Sequence, residues 1–126
     1  MTDMLKYIGD CLMEMPELEG IVIKPYYRPE SLEKSAPSIV IVPMNPPRQA
    51  TYGSDKPLRK EFNYQINIEA SSKPECTRLA LAVEKFLLEM DCYQLSGGLD
   101  EYFVETERYV DARRYRLYSN LYDAEH

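Results

Sequence analysis

From Phe62 to Ala70 the chain alternates, with Phe62, Tyr64, Ile66, Ile68 and Ala70 falling on one pleat face and Asn63, Gln65, Asn67 and Glu69 on the other. A period of two is the signature of a half-buried strand, one face on a core and the other toward water or a partner. After Ser72 the period changes to that of a helix. Ser72 and Glu75 stand at capping-box spacing, and Pro74 falls in the first turn, where its missing N–H costs nothing. Leu79, Val83, Phe86, Leu87 and Met90, widened by Ala80 and Ala82, then make an apolar face opposite Arg78, Glu84, Lys85 and Glu89. The pattern predicts a helix over Pro74–Asp91, and such a face must lie flat on a sheet.

The same reading places the other elements. Thr2 and Asp3 are suited to cap a first helix with Leu5, Ile8, Leu12 and Met15 on one stripe, ending near Pro16. Ile21–Lys24 is a short β-branched run, and Pro25 and Pro29 make it an edge or irregular strand. Ile39, Val40, Ile41 and Val42 follow Ser38 without a polar break, as a strand covered on both faces does; a helix is expected on one side. Pro43 to Pro57 holds four prolines, one glycine and almost no apolar pattern, a long connection of the kind that carries function. Gly97 and Gly98 break the chain before Glu101–Val110, and Asp111 with Ala112 is read as a tight turn into Arg113–Tyr122, a closing hairpin. In that last strand Tyr115, Leu117, Ser119 and Leu121 share one face, and Arg114, Arg116, Tyr118 and Asn120 the other. The order is α-β-β-β-α-β-β. It predicts one α+β domain over residues 1–126, a two-layer, mainly antiparallel sheet with two helices packed on one face.

Composition narrows the chemistry. A chain of 126 residues, 44% hydrophobic and 29% charged, is that of a globular domain, and no apolar run approaches the roughly 20 residues of a membrane helix. The first fifteen residues mix in Asp3, Asp10 and Glu14 and lack a basic region before an apolar block, so no secretory signal is expected. Cys11, Cys76 and Cys92 are odd in number and without C-x-x-C spacing, which favours packed, reduced thiols over disulfides or zinc. A net charge of -6 opposes phosphate neutralisation, so nucleic acid is not an expected partner. Eleven Tyr and no Trp lean toward protein contacts instead.

Catalytic sets are missing from the pattern. The single histidine, His126, is C-terminal, so neither a cysteine nor a serine nucleophile has an imidazole base. Glu105 with Glu107, and Glu17 with Glu19, are paired carboxylates that a small metal-dependent enzyme could use; solvated acidic faces are the commoner cause. Arg113, Arg114 and Arg116 form the one local basic cluster, with pairing to Glu105 and Glu107 as its simplest explanation. No cofactor is expected.

In element order, length and acidity the chain resembles the tail terminator proteins, also called minor tail or tail completion proteins, of long-tailed bacteriophages and prophages. The resemblance rests on the leading helix, the Pro37–Pro43 strand, the Tyr64–Ala70 strand running into the Glu75–Leu88 helix, and the closing hairpin through Arg114–Tyr118. It implies a non-enzymatic virion protein, made in the bacterial cytoplasm and placed at the head-proximal end of the tail. There a homo-oligomer, a hexameric ring, would stop tube growth and present a joining surface, with the tail tube protein and the head–tail connector protein as partners. On that footing the interface candidates are Arg48, Tyr52, Lys56 and Arg59, turned to the tube or ring lumen, and Tyr109, Arg114 and Arg116, near a subunit boundary. A head–tail connector or other neck component is the alternative within this class; the metal-dependent enzyme and a monomeric cellular adaptor are the alternatives outside it.

Overall fold

The computed structural model describes residues 4–33, 35–44, 48–53, 56–90 and 92–120, with side chains outside 48–53, 56–60 and 119–120. The first helix, α1 (Met4–Met13), buries Met4, Leu5, Ile8 and Leu12, the stripe that its spacing predicts. The expected caps Thr2 and Asp3 lie outside the described residues. A short 3-10 helix, Pro16–Leu18, turns the chain and seats Leu18 in the core. Then follow β1 (Val22–Pro25), β2 (Ser38–Pro43), β3 (Arg48–Gly53) and β4 (Lys56–Ala70), the second helix α2 (Lys73–Glu89), and β5 (Tyr93–Gln94), β6 (Leu99–Phe103) and β7 (Arg108–Asn120).

All seven strands belong to one sheet whose main path is β1-β2-β4-β7-β5. Only β1 with β2 is parallel; every other pair is antiparallel. Both helices pack on the same face, so the fold is α+β with two layers as predicted. The core between the layers joins Ile8 and Leu12 of α1, Leu79, Val83 and Leu87 of α2, and Ile39, Ile41, Tyr64, Ile66 and Ile68 of the sheet. Burial of such side chains is worth roughly 1.5–3 kcal/mol each.

Two segments depart from the sequence reading. Pro43–Pro57 is not a plain loop, because Arg48–Gly53 forms a strand that pairs antiparallel with the start of β4. Its sequence, Arg-Gln-Ala-Thr-Tyr-Gly, has no apolar alternation, so periodicity could not reveal it. The closing hairpin turns at Val104–Glu107 rather than at Asp111 and Ala112. Glu107 takes the left-handed φ of 56° there, and its N–H donates to the Phe103 carbonyl at 2.8 Å. Asp111 and Ala112 are instead buried mid-strand, register-paired to Asp100 and Leu99 of β6. Asp111 imitated a turn residue; its carboxylate is satisfied by Arg113 at 2.9 Å.

The uninterrupted β2 run is covered on both faces, as its sequence demands. Helices cover Ile39 and Ile41. On the other face Ser38 and Val40 are both buried, and Arg28 staples the chain at Glu33 and Ala36 to Ser38. That guanidinium donates to the Glu33 and Ala36 carbonyls at 2.8 and 2.7 Å and to Ser38 Oγ at 3.2 Å.

Candidate interaction surface

The pleat that puts Ile66 and Ile68 under the helices puts Glu61, Asn63, Gln65 and Asn67 on the opposite face of β4, and register sets Arg116 beside Asn63 and Arg114 beside Gln65. The polar side chains join into a ladder. Arg116 Nε donates to Asn63 Oδ1 at 3.1 Å and lies 3.5 Å from a Glu61 oxygen, while Asn63 Nδ2 donates to Glu61 Oε2 at 3.0 Å. Arg114 Nε donates to Gln65 Oε1 at 3.2 Å, and Gln65 Nε2 to Asn67 Oδ1 at 2.9 Å. Glu61 and Asn63 are buried, and the arginines half-buried. Buried polar groups tied in this way hold their geometry, since an unmade bond there costs about 1–3 kcal/mol.

The arginine cluster therefore does not pair with Glu105 and Glu107, which lie in the β6–β7 turn. Arg114 and Arg116 bind β4. Arg113 points the other way, under α2, and reaches Asp111 at 2.9 Å and Glu84 at 3.2 Å. One pleat step separates the two groups, and the alternation of Arg113 and Arg114 was legible in the sequence although their partners were not.

The interface candidates divide. Arg114 and Arg116 sit together on the polar face. Tyr109 is on the helix face, partly buried against the core and tilted on Tyr102 with ring centroids 4.7 Å apart. Arg48, Tyr52, Lys56 and Arg59 lie on the β3–β4 hairpin, where register pairs Arg48 with Glu61, Tyr52 with Pro57, Gly53 with Lys56 and Ala50 with Arg59; their side chains lie outside the described residues. Arg59 is also register-paired to Asn120 of β7, so the hairpin is the end of a three-stranded arm. Among the described side chains, core members on β4 begin only at Phe62. The residues whose role sequence reasoning missed are Glu61, Asn63 and Arg28; alternation predicted a face for Asn63 but no partner, and gave neither for Glu61 and Arg28.

Groups with reactive potential are quiet. Burial, reinforced by the neighbouring Asp111, pushes the Cys76 thiol up to about 11, the reverse of an activated nucleophile. A groove of about 200 Å³ between α1 and β1 is lined mainly by apolar residues such as Leu5, Met13, Ile23 and Ile41, and its one charged couple, Lys6 and Asp10, is self-paired at 2.7 Å. Among the described residues no three His, Cys, Asp or Glu side chains are grouped to hold a metal, and His126 lies outside those residues. No helix among them is long and apolar enough to cross a membrane. No protein family matches the chain, and neither does any curated protein.

Proposed function

We propose that this chain is a structural subunit of a phage or prophage tail, which closes the growing tube as a ring at its head-proximal end and works by fit rather than by catalysis. The observation that carries the reading is the β3–β4–β7 arm. Six residues of β4, 56–61, extend the strand by roughly 20 Å beyond Phe62 and carry β3 as an added edge strand. A ring subunit needs such a reach, because each copy must meet both a neighbour and the tube. The polar ladder beside the arm, rigid and rich in arginine within an acidic chain, suits a protein surface that is bound and released without a hydrophobic seal.

Light scattering after size exclusion, with negative-stain micrographs, tests the proposal. Rings with a mass near six times the 14.7 kDa chain are expected. Replacing residues 46–57 by a short glycine turn is expected to abolish the rings while far-UV circular dichroism keeps the helices. A chain that stays single at millimolar concentration, or rings indifferent to loss of the hairpin, would overturn it.

A further inference from the structure

On the sheet face away from the helices, Arg114 and Arg116 are each anchored through Nε, to Gln65 Oε1 at 3.2 Å and to Asn63 Oδ1 at 3.1 Å. Their Nη atoms carry no hydrogen bond among the described residues. Gly97, at a φ of +99°, backs the Arg114 guanidinium so closely that a Cβ there would stand 2.9 Å from Nη1. Glu61, 3.5 Å from Arg116 Nε, is the single carboxylate of the ladder, so two fixed cations meet one anion. At the other end of β7 the balance is reversed. Glu101 of β6 and Glu105 of the Val104–Glu107 turn are exposed, and neither carboxylate has an ion pair or hydrogen bond among the described residues. Beside Glu105, Val104 is 74% exposed. From Arg108, where β7 leaves the turn, to Arg114 the strand runs roughly 20 Å, so no copy can fold its own turn onto its own ladder.

We infer that the ladder is a docking face for a second copy of this chain, whose β6–β7 turn sets Glu105 on the Nη edges of Arg114 and Arg116. Charge complementarity identifies the occupant. A guanidinium held by its Nε keeps a planar pair of Nη donors for a carboxylate, and such a carboxylate stands unpaired on a protruding turn of the same chain. Two ladders face to face would set arginine against arginine, and two turns glutamate against glutamate, so the like surfaces repel and the unlike ones attract. The aliphatic stems of the two arginines, with exposed Tyr118 register-paired to Glu61 on the same face, offer Val104 apolar surface. A contact led by half-exposed charge is weak singly and sensitive to salt. The inference rests on the ring reading above for its repetition: passed from ladder to turn, copy after copy, the contact is head-to-tail and closes a ring, in addition to whatever the arm contributes.

Sedimentation velocity on the full chain, over a wide concentration range and at low and raised salt, tests this. The wild type is expected to self-associate, less so as salt rises. Glu105→Arg and Arg114→Glu are each expected to weaken the association about tenfold or more, by turning an attraction into a repulsion. An equal mixture of the two variants is expected to restore it, because every contact in the alternating assembly again joins opposite charges. Circular dichroism and the thermal midpoint verify folding. Glu105→Arg alters only an exposed turn, and Arg114→Gln, which can still donate to Gln65 Oε1, is expected to weaken association in the same direction should Arg114→Glu not fold. Association indifferent to either charge reversal in a folded variant, or a mixture no better than its parts, overturns the inference and leaves the ring to the arm. A two-chain assembly that both variants weaken and their mixture restores keeps this contact and overturns the ring. A wild type that stays a single chain throughout overturns both.

Discussion

Replacing Arg28 by alanine removes the staple that ties the Glu33 and Ala36 carbonyls to Ser38 on the second face of β2. Its bond to the Leu32 carbonyl is 3.5 Å long and counts for little, and the contact with the Glu33 carbonyl faces solvent, where water replaces it. Two contacts remain to set the cost: the 2.7 Å bond to the Ala36 carbonyl and the 3.2 Å bond to Ser38 Oγ, whose residue is fully buried. A hydrogen bond from a charged donor is worth about 1.5–3 kcal/mol, and partial exposure of the guanidinium puts the pair near the lower end, at about 2–3 kcal/mol together. For a chain of this size that is a fall in Tm of about 8–12 °C. Arg28→Lys is expected to recover less than half, because a single ammonium cannot span the fork that reaches Ser38, Glu33 and Ala36 at once. Urea denaturation followed by circular dichroism measures the cost, and hydrogen exchange localises it, with amides of 38–42 losing protection before those of α2. A variant within about 0.5 kcal/mol of wild type, or full recovery by lysine, would refute the account of how this face is covered.

Gly98→Ala is expected to be severely destabilising, by about 3 kcal/mol or more, since the added Cβ would stand 2.0 Å from the Ala112 carbonyl oxygen at a φ of +98°. Gly20→Ala, at a φ of +82° with open space around it, is expected to cost only about 1 kcal/mol; equal costs in urea denaturation would contradict the close approach of the β5–β6 connection to β7. The Cys76 thiol, raised by burial from 9.0 to about 11, binds its proton more tightly folded than unfolded. Its contribution is therefore complete below pH 9 and lost as pH rises from 9 to 11, and burial of Tyr115 raises that phenol in the same direction. Stability is expected to fall with pH across that window, and Cys76→Ala to flatten the slope; a wild type whose stability is level from pH 9 to 11 would show that the thiol is not held in this way.

Elements that bury one face were legible in the sequence. Phe62–Ala70, the α1 stripe and α2 all place their apolar residues where period and spacing put them, because a core imposes that period on the chain. Ser72 caps α2 as expected, accepting from the Glu75 N–H at 3.3 Å. The reciprocal half of the capping box gives way to an ion pair, with the Glu75 carboxylate bonded to Arg78 at 2.8 Å and its pKa lowered by that contact. What periodicity missed carries no strong apolar period in its sequence. The strand at Arg48–Gly53 pairs with the start of β4 without an apolar run to announce it, and the hairpin turn at Val104–Glu107 contains neither glycine nor proline. Asp111, a turn residue by type, was accommodated mid-strand by an arginine two residues along.

The polar face of β4 follows from the same logic carried one step further. Alternation predicted that Asn63, Gln65 and Asn67 would turn away from the core, but which side chains would meet them depended on strand order, and sequence order suggested β6 for the arginines. Because β7 pairs with β4 along twelve residues, from Arg59 to Ala70, Arg114 and Arg116 meet amides and Glu61 instead of Glu105 and Glu107. The consequence is physical. Arg114, whose described partner is a neutral glutamine, keeps its positive charge uncompensated by any carboxylate within the ladder, while Glu105, in the turn at the other end of β7, stays exposed. Hairpin-internal pairing would have cancelled both. A chain with a net charge of -6 thus separates its charges along one strand, and separated charge of that kind orients an approaching protein before contact.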